Sequence, residues 1–281
     1  MYSKTKTKNM QFKNLEEKCL YYRGLTDYKL LPNSNVIVML DGKNFSQLVK
    51  NNFEKPFDDN FIEMMNKTAQ FLCNSVQGVK LAYVQSDEIS LLINDSTEGD
   101  IYFGGRLCKI QSILASLATS EFNRWFIRNR IFDKEDWSGV GIADLDQELC
   151  DIKLAQFDSK AWVVPSDNDA YAWFLYRQLD CIKNSKQQFS QTYLSHKSLL
   201  RKTADEQIDM VKEIKGLDWN ELEDKYKYGR FVYKTETEGK TTLPNGETIN
   251  YTRNKFTVHP APQLNEDRDF FFNIAYHKPT E

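Results

Sequence analysis

Apolar and polar positions along the chain divide it into strand-like and helix-like stretches. Val36 to Leu40 is an unbroken apolar run that ends abruptly at Asp41-Gly42, followed by Lys43, Asn44 and Phe45. Such a run, bounded by a turn signal, predicts a fully buried strand. A second pair of apolar runs, Leu81–Gln85 and Ile89–Ile93, flanks the short polar stretch Ser86-Asp87-Glu88 and predicts a β-hairpin. Between them, FIEMMNKTAQFLCNSV repeats its apolar residues at helical spacing behind Asp58 or Asp59 as N-cap. A long helix is expected over about 105–130, a strand over 154–164 stopped by Pro165, and a helix over 169–189. The order to Pro165 is βαββαβ, a ferredoxin-like or polymerase-palm layout with two helices on one face of an antiparallel sheet.

The remaining stretches are read more coarsely. Residues 1–11 are polar and read as a mobile arm, 14–23 as a short amphipathic helix, and 94–100 and 133–150 as irregular. Further helix is expected around 203–214 and 218–226, and a strand over 226–234. A hairpin over 240–256 is expected to turn at Asn245-Gly246. The fold class is therefore α+β, with a palm-like catalytic domain over 1–165 and a helical and β-hairpin region over 166–281 packed with it.

Composition narrows the function classes. The chain has 281 residues, 41% hydrophobic and 27% charged, enough for a sizeable core. No apolar run approaches the roughly 20 residues that span a bilayer, so no membrane partner is expected. The five scattered cysteines form no CxxC pair, which favours a reducing cytoplasm over a disulfide framework. The three histidines lack zinc-ligand spacing to cysteine. There is no GxxxxGK[ST] or GxGxxG motif. A net charge of −3 gives no general support for nucleic-acid affinity, although a local basic face is compatible with it.

The chemistry is expected where strands end. Asp41 closes one strand and Asp87 tips the adjacent hairpin, so the two carboxylates can converge on divalent cations. Mg²⁺ takes one or two carboxylates together with phosphate oxygens and water, and a pair of such ions suits phosphoryl chemistry. Taken alone, Asp41 as a simple turn cap is the more ordinary reading. Arg106 and Lys109 fall one turn apart at a helix start, where cations are disfavoured unless an anion binds.

These motifs resemble the tRNA(His) guanylyltransferase family and its tRNA-repairing relatives, the template-dependent 3′-to-5′ RNA polymerases. The resemblance rests on DGKNF at 41–45, FEKPFDD at 53–59, YVQSDEISLL at 83–92, RLCK at 106–109, FDSKAWVVP at 157–165 and RQLDCIKN at 177–184. It implies a palm fold, usually assembled as a homotetramer, acting on tRNA and nucleoside triphosphates with two Mg²⁺ ions and with ATP or GTP as substrates. It implies that Asp41, Gly42 and Asp87 bind metal, with Asp41 and Asp87 catalytic. It places the nucleotide against Asp41, Gly42, Lys43, Asn44, Phe45, Ser46, Ser86 and Asp87, the base against Phe53 and Asp58, and the triphosphate against Arg106 and Lys109. Glu88 and Asn184 are supporting candidates beside these groups. Lys43 replaces the family's usual arginine. Ile182-Lys183-Asn184-Ser185 replaces His-Ile-Asn-Asn, so that histidine is missing and repair of 5′-truncated tRNA is favoured over guanylylation of tRNA(His). A palm-type nucleotide cyclase and a non-catalytic RNA- or nucleotide-binding palm are the alternatives.

Overall fold

The computed structural model describes residues 11–94, 102–132, 152–242 and 248–276. The expected arm before residue 11, the irregular stretches at 95–100 and 133–150, and the Asn245-Gly246 turn lie outside these residues. In chain order the elements up to the palm's last strand are α1 (Leu15–Gly24), β1 (Asn35–Gly42), α2 (Phe45–Asn52), α3 (Asp59–Ser75), β2 (Val79–Gln85), β3 (Glu88–Ile93), α4 (Leu107–Phe132) and β4 (Phe157–Val164). After them come α5 (Asp167–Tyr193), α6 (Ala204–Lys215), β5 (Arg230–Thr242), β6 (Thr248–Pro260) and α7 (Arg268–Tyr276). Short helical turns at His196–Leu199, Trp219–Glu221 and Asp224–Lys227 lie between α5 and β5. Among the described residues, no helix is long and apolar enough to cross a membrane.

All described strands join one antiparallel sheet in the order β4-β1-β3-β2-β5-β6. The first four give the βαββαβ arrangement expected from the sequence. The unbroken apolar run in β1 is explained by cover on both faces. Val36, Val38 and Leu40 face the cluster that includes Met65 and Leu72 of α3 and Leu114 and Phe122 of α4. Ile37, together with Leu81, Tyr83 and Leu92, faces Phe174 of α5 and Phe271 of α7. Two helices cover one face, as the palm layout predicts, and the C-terminal region supplies the cover for the other.

Several boundaries differ from the sequence reading. β4 begins at Phe157, and Leu154 stands exposed ahead of it. β5 begins at Arg230, because 224–227 forms a helical turn, and it runs on to Thr242 against β6. Helix α1 forms behind an Asn14 cap but buries none of its side chains, so its apolar residues do not act as an amphipathic face within this chain. Asp58 caps α3, its Oδ1 accepting from the Phe61 amide at 2.9 Å.

Candidate active site

β1, β3 and β4 end together, and their register sets three acids side by side. Asp41 pairs with Glu88 on β3 and with Asp158 on β4. Directly opposed residues share a face, with Cβ atoms about 4.5–5.5 Å apart. This is the face covered by α5. Asp87 lies one residue before Glu88, at the hairpin tip, where Ser86 takes a positive φ of 43°. The Ser86 hydroxyl donates to Asp87 Oδ1 at 2.9 Å and fixes that carboxylate.

The acids are not equivalent. Glu88 is 6% exposed and accepts a two-pronged pair from Arg177 on α5, at 2.7 Å from Nε and 2.5 Å from Nη2. Arg177 also reaches Asp180, three residues on along α5, at 3.1 Å. Neither Asp41 nor Asp87 forms an ion pair among the described residues. Burial, and secondarily the charge of Asp158, pushes the Asp41 carboxyl above the usual range. Burial likewise raises Asp87, with Asp41 adding to the effect. Two carboxylates that resist ionising in the free protein favour an arriving cation.

Asp41, Asp58, Ser86, Asp87, Glu88 and Asn184 all line one cavity of about 500 Å³ between the α3 N-terminus and α5. The rest of the sequence-based set sits elsewhere. Phe45 is 2% exposed, its ring packed against Phe61, Phe122 and Phe157 in the core. Gly42 is needed for that packing, since a Cβ there would meet the Phe45 ring at 2.3 Å. The sharp turn itself falls at Asn44, with φ 59°. Lys43 and Ser46 are exposed beside it, and the Lys43 amide donates to the Gln156 carbonyl at 2.8 Å. Phe53 packs on Phe61 and Phe126 and borders a neighbouring hollow that Asp58 also lines. Arg106 pairs with Asp27 at 3.1 Å, and Lys109 lies over the Phe103 ring, so neither forms part of the main cavity wall.

The same wall contains residues that the sequence reading does not assign to the site: Arg177, Lys225, Tyr226 and Arg230. Asp158 is a further omission. It lies in the FDSK motif, directly opposite a strand-ending aspartate, a signal that could have found it once β4 was paired with β1. Arg230 gives no comparable signal, because its position depends on β5 joining the palm sheet.

Among the described residues no group of three or more histidine, cysteine, aspartate or glutamate side chains forms a metal cage. Mg²⁺ does not need one, since it takes one or two carboxylates and fills its other positions with water and phosphate. The unpaired, burial-raised carboxylates of Asp41 and Asp87 fit that requirement.

Comparison with known proteins gives the family that the chain resembles and the nucleotides bound by solved relatives. The family model described as tRNAHis guanylyltransferase (Thg1) matches residues 16–165. A bacterial tRNA(His) guanylyltransferase (Thg1)-like protein solved in complex with ATP is similar over 94% of this chain and 99% of its own, at 28% identity and a TM-score of 0.76. A structure of such a protein in complex with GTP is similar over 93% and 99%, at 28% identity and a TM-score of 0.70. The tRNA(His) guanylyltransferase of Schizosaccharomyces pombe is 28% identical over 56% of this chain and 53% of its own length. The chain thus spans about half the length of that relative.

Proposed function

We propose a function for a chain that belongs to the tRNAHis guanylyltransferase family: it is a Mg²⁺-dependent nucleotidyltransferase that adds nucleotides to the 5′ end of tRNA in the 3′-to-5′ direction. The observation that carries this reading is the convergence of Asp41 and Asp87, both without an ion-pair partner among the described residues, on the cavity at the strand ends. Asp41, Asp87 and the Gly42 carbonyl would hold two Mg²⁺ ions, which when bound supply charge neutralisation and activation of an attacking hydroxyl.

In the first step a 5′-phosphate oxygen of the RNA attacks the α-phosphorus of ATP or GTP. A 5′-5′ nucleotidyl link forms and pyrophosphate leaves. In the second, the 3′-hydroxyl of an incoming nucleoside triphosphate attacks the RNA 5′ phosphorus, and the activating nucleoside monophosphate leaves. The protein's own part is positioning and electrostatics. Arg177 holds Glu88 so that the acid supports the hairpin instead of competing for the ligand. Asp58, tied to the α3 amides, presents a fixed wall to the base. Lys43, Arg106 and Lys109 are assigned to triphosphate charge, which requires Arg106 to exchange Asp27 for it. The same proposal includes cytoplasmic location and a homotetramer, in which a basic groove assembled across subunits would give RNA a local positive surface despite the net charge of −3 per chain. The missing histidine after Cys181 favours repair of truncated tRNA.

The test uses a 5′-truncated, 5′-monophosphorylated tRNA labelled at its 3′ end, with Mg²⁺, ATP and all four nucleoside triphosphates. Templated extension at the 5′ end is expected. Cyclic nucleotide made without RNA, and no extension, would replace the reading with the cyclase one. Asp41→Asn and Asp87→Asn are each expected to lower extension by at least about a hundredfold, with the far-ultraviolet circular dichroism spectrum unchanged.

A further inference from the structure

Arg230 opens β5 and forms part of the wall of the cavity that holds Asp41 and Asp87. It is 5% exposed. Its Nε donates to Asn66 Oδ1 on α3 at 3.1 Å, and its Nη1 to the Lys225 carbonyl at 3.4 Å. Both acceptors are neutral. Its Nη2 is buried and has no hydrogen-bond partner among the described residues.

The other two cations of the wall have their charge answered. Arg177 pairs with Glu88 and Asp180, and Lys225 with Asp59 and Glu223. Arg230 forms no ion pair among the described residues. Burial pulls its guanidinium below the ordinary range, yet arginine stays charged in proteins. A buried charge without a counter-ion is unfavourable in the free protein. Burying it between two neutral acceptors fixes the direction of the fork and leaves the charge unanswered. A group held in that way loses little freedom when a ligand arrives.

We propose that Arg230 is a phosphate-recognising residue of this cavity, bound to a phosphate of the nucleoside triphosphate or of the RNA 5′ end. The inference rests on the nucleotidyl-transfer reading and names a cation of that site. A phosphate supplies the missing negative charge and an oxygen acceptor for Nη2, and charge-assisted bonds of this type are the strong ones. It complements the two carboxylates, which suit the metal and would repel the phosphate without it.

The test compares the full chain with Arg230→Met and with Arg230→Gln, which keeps an amide donor for Asn66. Binding of ATP, tripolyphosphate and adenosine is measured by calorimetry with Mg²⁺ and no RNA, and binding of RNA bearing a 5′-monophosphate or a 5′-hydroxyl by filter retention with Mg²⁺ and no nucleotide. If the phosphate is the nucleotide's, both variants lose about tenfold or more in affinity for ATP and tripolyphosphate and keep that for adenosine. If it is the RNA's, the loss falls instead on the preference for 5′-monophosphate over 5′-hydroxyl. Either result supports the proposal. The free variants are also expected to melt no lower than the wild type, since a lone buried charge has gone. Unchanged affinity for every phosphate ligand overturns the proposal. So does failure of both variants to fold, which would make Arg230 a structural bridge between α3 and the turn before β5. These assays need no turnover, so they stand apart from the extension assay that tests the reaction itself.

Discussion

As proposed metal ligands, Asp41 and Asp87 would carry opposite demands in the free and the metal-bound protein. Free, each is pushed above the ordinary aspartate value of 3.8 by burial, with another acid adding to the effect. A carboxyl raised in the folded state contributes stability while it is protonated, below the unfolded value, and that contribution is lost as pH rises through the folded value. At neutral pH both carboxylates therefore weigh against the fold. Asp41→Asn and Asp87→Asn should melt higher than the wild type at pH 7 in EDTA, and the gain should shrink as the pH is lowered towards about 4. An Asp87→Asn protein that melts lower than the wild type at pH 7 would mean that the carboxylate is satisfied by a partner in the free fold. These two aspartates are legible in the sequence because each interrupts an apolar run where a strand must end. Asp158 and Arg230 are not, because their relation to Asp41 and to the cavity depends on strands that pair across long stretches of chain, β4 with β1 and β5 with β2. Phe45 shows the converse. The DGKNF motif marks it as a site residue, while its ring is a core residue whose contribution is to lock the loop from beneath.

The elements hold that site through a small number of specific ties. Helix α5 reaches β3 through Arg177 and Glu88, both largely buried, with side-chain exposures of 12% and 8%. Removing one partner of such a pair strands the other charge, at a cost of about 3–5 kcal/mol. Arg177→Met is therefore expected to lower stability by about 3 kcal/mol at pH 7. The deficit should diminish as the pH is lowered, because an unpaired Glu88 takes up a proton. Chemical denaturation of the variant at pH 7 and at pH 5 checks both parts. An equal deficit at the two values would mean that packing, and not the stranded carboxylate, sets the cost. The strands of the palm and the long helices are visible in the pattern of the sequence, since burial on both faces writes an unbroken apolar run and burial on one face writes a helical repeat. Helix α2 escapes that pattern because its eight residues, FSQLVKNN, are too short for periodicity to register. The full length of β5 escapes it because the outer half, KTETEGKTT, alternates polar residues with no apolar face and is held by β6 alone.

At the scale of the whole molecule, the division expected at residue 165 meets a continuous sheet. The first four strands have the palm order, yet β2 pairs onward to β5, and α5 and α7 cover the face that carries Asp41 and Glu88. Gln178 shows how closely the later region is bound in. Fully buried, it donates to the Pro262 carbonyl at 2.7 Å and accepts from the Leu264 amide at 2.7 Å, so α5 is fastened to the segment between β6 and α7. A fragment ending at residue 165 would expose Ile37, Leu81, Tyr83 and Leu92, each fully buried in the intact chain. Burying a large apolar side chain contributes about 1.5–3 kcal/mol, while a whole domain is stable by only about 5–15 kcal/mol. The loss of that face, together with the Arg177 tie to Glu88, is therefore comparable with the entire stability of the palm. Residues 1–165 expressed alone are expected to lack a cooperative thermal transition and to associate on size-exclusion chromatography. A monomeric fragment with a sharp transition would show that the palm is an independent domain whose second face needs no cover. The expected result would instead make the candidate catalytic acids dependent on the C-terminal region, because the helix that roofs the cavity is also the one that completes the core beneath it.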